Sequence, residues 1–238
     1  MSFADYLRAA AQTYNIALTD EQVEAYCIYY ELLIEWNEKI NLTAITQPEQ
    51  VAVKHMIDSL SCHNANVFFE GCSVIDVGTG AGFPGLPLKI FQENIQLTLL
   101  DSLNKRVKFL ATVVETLQLN KVEAIHSRAE EGSRQKVHRE KYDVAVSRAV
   151  ARLNVLCELC MPYVKVGGYF VALKGAQYVA EVDEAKRAVV ILGGEIEKIV
   201  PVKLPGIDDV RAIIYVKKIK QTPVLYPRKA GTPEKDPL

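Results

Sequence analysis

Five cysteines in 238 residues, Cys27, Cys62, Cys72, Cys157 and Cys160, are an odd number and too sparse for the disulfide framework of a secreted scaffold. Reduced thiols are expected. Cys157-Glu-Leu-Cys160 lies in a helical-looking run with no second pair, so it reads as core packing rather than half a zinc site, and no metal is expected. No uninterrupted apolar stretch approaches the roughly 18 residues of a membrane span, and the first residues lack the basic-then-apolar order of a signal peptide. The expectation is a cytoplasmic protein with no membrane partner. Neither an internal repeat nor a low-complexity tract is present.

Charge is scarce as a net quantity, at −1, but unevenly spread: residues 1–66 carry nine acidic and three basic side chains, which leaves the remainder at +5. Basic residues concentrate in Arg134-Gln-Lys-Val-His-Arg-Glu-Lys141 and again from Lys217 to Lys235. Either run alone reads as a solvated face; together they point to an anionic polymer.

Residues 1–66 read as a helical extension. Ser2 precedes Phe3, Leu7, Ala10 and Tyr14 on one helix face. Thr19-Asp-Glu-Gln22 is a capping-box pattern, followed at helical spacing by Val23, Cys27, Tyr30 and Ile34. Pro48 opens a third helix with Val51, Ile57 and Leu60, and Trp36 to Thr43 is a polar connector.

From Cys72 strands and helices alternate, which defines a second region, 67–220, of α/β class with a parallel sheet. The strand pattern covers Ser73–Val77, Gln96–Leu100, Val122–His126, Tyr142–Ser147, Gly168–Leu173, Glu195–Val202 and Ala212–Lys217. Helical periodicity covers Pro84–Gln92, Asn104–Leu117, Arg152–Tyr163 and Tyr178–Leu192. The last two strands have no helix between them and should form an antiparallel hairpin. Residues 221–238 are a basic, proline-rich tail with no regular structure expected.

Val-Ile-Asp76-Val-Gly78-Thr-Gly80-Ala-Gly82-Phe83-Pro-Gly85 follows the first strand, and two registers fit it. Read from Gly80 it is the G-x-G-x-x-G of dinucleotide sites, where a helix N-terminus meets a pyrophosphate. Read from Gly78 it is Asp-x-Gly-x-Gly-x-Gly, which resembles motif I of class I methyltransferases that use S-adenosylmethionine. Asp76 favours the second, because a carboxylate repels a pyrophosphate but not a cofactor bearing an ammonium and a sulfonium. A dehydrogenase and a non-catalytic RNA-binding module with a degenerate cofactor fold remain the alternatives.

Ligands of doubly wound sheets bind at the carboxyl ends of the strands. Asp101-Ser102 follows the second strand, at the spacing of a ribose-binding acid. Ser127-Arg128-Ala129-Glu130 follows the third, where Glu130 suits either an adenine edge or the start of a helix. Arg148 and Lys174, after the fourth and fifth strands, argue for an anionic substrate, or else for ion pairs with Asp143 or Glu158. The segment after the fourth strand is Ser147-Arg-Ala-Val150. It lacks the Asn/Asp-Pro-Pro-Tyr/Phe associated with amine methylation and the cysteine needed for attack on a pyrimidine. Guanine N7, a bare lone-pair acceptor, needs neither and no general base.

Trp36-Asn-x-x-Ile-Asn-Leu-Thr-Ala-Ile45, Lys54-His-x-x-Asp-Ser-Leu60, the glycine loop through Leu88, Asp143-x-x-x-Ser-Arg-Ala149 and Tyr226-Pro-Arg-Lys-Ala-Gly-Thr-Pro-x-Lys235 together resemble the bacterial glucose-inhibited division protein B family. These are 16S rRNA guanine-N7 methyltransferases, and the resemblance spans essentially the whole chain. It implies a class I, Rossmann-like, seven-stranded fold and S-adenosyl-L-methionine as cofactor. It also implies action on guanosine 527 of 16S rRNA, within the small ribosomal subunit or an assembly intermediate; a monomer is expected. By the same resemblance, Gly78, Phe83, Ala129, Glu130 and Arg148 contact the cofactor, with Asp101 and Ser102 near its ribose; the loop register adds Asp76, Gly80 and Gly82 to the expected cofactor-binding residues. Arg148 and Lys174 then serve alignment and charge, while Arg128, Lys174 and Arg211, with Arg228 and Lys229 of the basic tail, face RNA.

Overall fold

The structure, a computed structural model, describes residues 1–148 and 151–238. Ala149 and Val150, from the segment after the fourth strand, lie outside the described residues.

Helix α1 (Phe3–Thr13) begins where Ser2 Oγ accepts from the Asp5 amide and the Asp5 carboxylate accepts from the Ser2 amide. Thr19 and Gln22 build the same reciprocal box on α2 (Asp20–Ile40). Such caps satisfy donors that a helix start leaves free, worth about 1 kcal/mol each. The inward stripe of α2 corrects the expected one: it is Val23, Tyr26, Tyr29 and Leu33, with Cys27, Tyr30 and Ile34 only partly buried. The tyrosines turn in because their hydroxyls find acceptors, Tyr26 on Pro87 O at 2.8 Å and Tyr29 on Ala81 O, so burying the rings strands no polar group.

The third helix starts at Pro48 as α3 (Pro48–Val51), then widens into a π-helical stretch (Ala52–Ile57) before α4 (Asp58–Leu60). That departs from the regular helix expected there. Val51, Ala52, Val53, Met56 and Ile57 are all buried, so no solvent-facing side imposes a 3.6-residue period on this turn.

Seven strands follow: β1 (Ser73–Val77), β2 (Gln96–Asp101), β3 (Val122–His126), β4 (Tyr142–Arg148), β5 (Val164–Lys174), β6 (Gly194–Val202) and β7 (Arg211–Lys218). Their order is β3-β2-β1-β4-β5-β7-β6, parallel through β5, with β7 antiparallel to both neighbours. The helices are α5 (Gly85–Phe91), α6 (Asn104–Thr116), α7 (Ala129–Gly132), α8 (Leu153–Cys160) with a 3-10 turn (Met161–Tyr163), α9 (Tyr178–Ile191) and α10 (Thr232–Lys235). Strands β2, β4 and β5 each end one residue later than expected, so Asp101, Arg148 and Lys174 are paired strand residues, opposite His126, Leu173 and Ala212. Cross-strand pairing fixes the backbone of each at the carboxyl edge of the sheet.

Alternation along the strands divides the core. Val74, Leu97, Val144 and Ile213 pack with α5, α6 and the N-terminal helices, so the extension shares one core with the sheet. Ile75, Ala145, Phe170 and Ile214 face α8 and α9, where Cys157 and Cys160 are buried free thiols. Burial pushes the Cys157 thiol up to about 12, a packing group rather than a nucleophile.

Candidate functional site

The glycine loop is held from below. Asp76 is fully buried; its Oδ2 accepts from Thr79 Oγ1 at 2.7 Å and from the Gly85 amide at 2.8 Å. Burial raises its carboxyl to about 7 in spite of these bonds. Asp76 therefore shapes the loop and does not line the cleft above it, which corrects the expectation of direct contact. Gly82 is also structural. A Cβ there would stand 2.4 Å from Leu86 Cδ1 and 2.7 Å from the Tyr29 hydroxyl, so this glycine lets the extension close on the loop rather than meet a ligand.

Above the loop, a cleft of about 510 Å³ opens at the carboxyl ends of β1, β2 and β3. Gly78, Gly80, Phe83, Asp101, Ser102, Ala129, Glu130 and Arg148 line it, and so do Arg106 and Arg128. Asp101 joins loop to strand: Oδ2 accepts from the Gly80 amide at 2.9 Å and Oδ1 from the Leu103 amide at 2.8 Å, with Arg106 Nη1 3.5 Å away. Arg128, exposed just before α7, stands on this cleft and not on the one described next, a correction to its grouping with Lys174 and Arg211.

A second cleft, of about 620 Å³, lies beyond the ends of β4, β5 and β7, and His55 and Arg148 line both. The partition is a stack. The His55 ring lies 4.6 Å from the Phe83 centroid, and Arg148 Cζ lies 4.8 Å from the same centroid. His55 is pushed down to about 3, by burial first and by Arg148 second, so it stands neutral between the clefts. Arg148 pairs with Asp58 at 2.9 Å rather than with Asp143 or Glu158. Lys174 is buried, paired with Glu181 at 2.6 Å and donating to Ala151 O at 2.7 Å; that corrects its expected role as a cation free for RNA. Its ammonium is neutralised because a buried charge needs a partner.

The C-terminal segment, expected without regular structure, is a docked strap that carries the short helix α10. Arg134 donates to Pro227 O at 2.5 Å, Arg139 to Tyr226 O and Thr222 O at 2.9 Å each, and Glu140 accepts from the Thr222 amide at 2.7 Å. The basic run 134–141 thus spends its arginines on carbonyls of the strap. Arg228 is likewise reassigned from RNA: Nε and Nη2 reach the Glu158 carboxylate, and Nη1 reaches Asp236. Glu130 accepts from the Gly231 amide at 2.9 Å, and Gly231, Pro233 and Glu234 form a wall of the first cleft. Lys229 is exposed.

The family of rRNA small subunit methyltransferase G, GidB, matches residues 22–208. The ribosomal RNA small subunit methyltransferase G of Alkaliphilus oremlandii is 51% identical over 238 residues, all of both chains, and that of Clostridium botulinum is 51% identical with the same coverage. The chain belongs to the GidB family. Its sheet also superposes on TYW2 from M. jannaschii, solved in complex with AdoMet, with a TM-score of 0.57 at 15% identity, over 76% of this chain and 80% of that one. The fold is that of the class I S-adenosylmethionine-dependent methyltransferases, with an N-terminal helical extension.

Two residues central to this GidB protein's site, His55 and Asp58, were not singled out as site residues from the sequence. Their signal was the Lys54-His-x-x-Asp-Ser-Leu60 motif of the family resemblance, in which a histidine and an aspartate stand three apart. Thr43, from the connector, bonds His55 Nε2 at 2.9 Å, and Asn37 shapes that connector by accepting from the Leu42 and Thr43 amides. Arg106 carried no signal, because nothing local places it beside β2; the strap wall lay in the Tyr226-to-Lys235 motif of the family resemblance, which gave no sign that it reaches the first cleft.

Proposed function

We propose that the chain transfers a methyl group from S-adenosylmethionine to N7 of a guanine in 16S rRNA, the guanosine 527 that the family resemblance implies, within the small ribosomal subunit or an assembly intermediate. The observation that carries this reading is the pair of clefts sharing one thin wall of His55, Phe83 and Arg148. One cleft has the size and polarity for the cofactor, and the other presents Arg148 and Arg211 to an RNA base and its phosphates.

The residues fit S-adenosylmethionine. The first cleft, of about 510 Å³, is in the size range of small-ligand sites, and Asp101 and Glu130 supply acceptors for the hydroxyls and amine of the cofactor's nucleoside part. Gly80 leaves the approach open, since a Cβ there would meet no atom within 4 Å. Asp101 keeps acceptor capacity for ribose hydroxyls after its two backbone bonds. When bound, the cofactor supplies an electrophilic methyl on sulfur, which passes to the N7 lone pair while the carbon–sulfur electron pair stays on sulfur.

Chain residues align the partners and control charge. Arg148, braced against Phe83, and Arg211, on the second cleft, meet phosphate or the O6 edge of the base. No proton need leave N7, and His55, held at about 3, would be a poor base. Incubation with labelled S-adenosylmethionine and small ribosomal subunits should deliver the label as 7-methylguanosine, sensitive to reduction and aniline cleavage. Label recovered as N6-methyladenosine or 5-methylcytidine would overturn the reading.

A further inference from the structure

The proposed methyl transfer leaves Asp58 unused, although this carboxylate bonds both Arg148 and Arg211 beside the partition. It is 3% exposed and sits just after the π-helical stretch. Its two oxygens serve different arginines. Oδ2 accepts from Arg148 Nη1 at 2.9 Å and Oδ1 from Arg211 Nη1 at 3.2 Å. Arg148 Nη1 also donates to Lys54 O at 3.1 Å, so one edge of that guanidinium is tied to the π-helical turn while its face rests on Phe83.

Nearby, Lys174 is matched by Glu181, and Asp209 is shared by Lys54 at 3.4 Å and Arg211 Nη2 at 3.8 Å. Among the described residues, Asp58 is the carboxylate that bonds both guanidiniums and so lets them share one wall. Without it they repel, and Arg148, 13% exposed at its side chain, is free to swing from the partition into the second cleft. The consequence for a guanine is specific. Arginine binds O6 and N7 of guanine bidentately when its edge is free, and a donor on N7 occupies the lone pair that must attack.

We infer that Asp58 is a positioning residue for the transfer: it holds Arg148 across the partition, with its bonded edge turned to Asp58 and Lys54, so that N7 of the acceptor base is left unbonded. Asp58 lies on the wall of the second cleft, but both its oxygens are taken by guanidiniums, so it acts through Arg148. The inference rests on the guanine-N7 reading above and adds a requirement that this reading does not contain.

The test is single-turnover transfer at saturating cofactor and RNA for wild type, Asp58→Asn, Arg148→Ala and the double variant, with S-adenosylhomocysteine affinity measured beside it. Asp58→Asn should slow transfer by about tenfold or more, since small misplacements of a positioning group cost that much, while cofactor affinity shifts by less than about threefold. In the Arg148→Ala background the same substitution should change the rate by less than about twofold, because the group it positions is gone. A merely structural role predicts equal losses in both backgrounds and would overturn the inference, as would an unchanged rate. If Asp58→Asn does not fold, Asp58→Asn with Arg211→Ala restores the charge balance and is compared with Arg211→Ala alone, with the same loss expected and its absence equally fatal. Wild-type protein that transfers no methyl group to guanine would refute the functional reading itself; wild-type transfer with a normal Asp58→Asn rate refutes only the role of Asp58.

Discussion

Glu158 and Arg228, seventy residues apart, meet through three side-chain contacts of 2.7 to 3.2 Å, and the Arg228 amide adds a fourth at 2.7 Å to the same carboxylate. Glu158 is 1% exposed, so the pair anchors the strap to α8 from inside the fold. Arg228→Ala leaves a buried carboxylate without its cation and should cost about 3 to 5 kcal/mol of unfolding free energy. As Gly231 and Pro233 come away from the first cleft, S-adenosylhomocysteine should also bind about fivefold more weakly, a loss near 1 kcal/mol. Denaturant unfolding and calorimetry check both, and unchanged affinity in a folded variant would show that the strap is no wall of the cofactor site.

Asp101 combines two backbone acceptances with a place on the cleft floor. Asp101→Ala should weaken cofactor binding by about 1 to 3 kcal/mol, through lost ribose acceptance and a loosened Gly80 amide. Isothermal titration with S-adenosylhomocysteine reads the loss directly.

Gly80 and Gly82 both have positive φ, 62° and 99°, yet only Gly82 is hemmed in. Gly80→Ala should cost about 1 to 2 kcal/mol from backbone strain alone. Gly82→Ala should cost clearly more, because its Cβ meets Leu86 and Tyr29 and levers the extension off the loop. Urea midpoints of the two variants, compared side by side, decide whether the second glycine serves packing.

His55 gives a pH prediction with a definite sign. Its folded value, about 3, lies below the 6.5 of an unfolded histidine, so between those values the unfolded chain binds the extra proton. Stability contributed by neutral His55 is complete above 6.5 and is lost as pH falls toward 3, with a slope of at most about 1.4 kcal/mol per pH unit. His55→Gln should lack that slope. Urea unfolding between pH 4 and 7 measures the difference, in which the opposite contribution of Asp76, raised to about 7, cancels because both proteins carry it.

RNA affinity should fall with salt, and Arg211→Ala should flatten the slope by about 0.7 for a single-stranded contact. Lys229→Ala should act weakly, being one exposed charge. An unchanged slope for Arg211→Ala would remove that residue from the RNA surface.

Much of this was legible in the residues themselves, for reasons that are local. Capping boxes at Ser2 and Thr19, strand alternation from Ser73 onward, the missing helix before the last strand and the Asp76-to-Gly85 loop each depend on neighbours within a few positions, where backbone geometry and side-chain period act directly. Asp101, Arg148 and Lys174 were found by counting to strand ends, and pairing moved each inward by only one residue. Tertiary structure decided what each charge does. Asp76 became a buried loop brace, Lys174 half of a pair with Glu181, and the arginines of the basic run clamps for a strap 83 to 93 residues away. Spacing along a chain carries no record of which acid a buried cation will meet. Desolvation makes that partner obligatory, and only the packing of α4, α8 and α9 against the sheet chooses it.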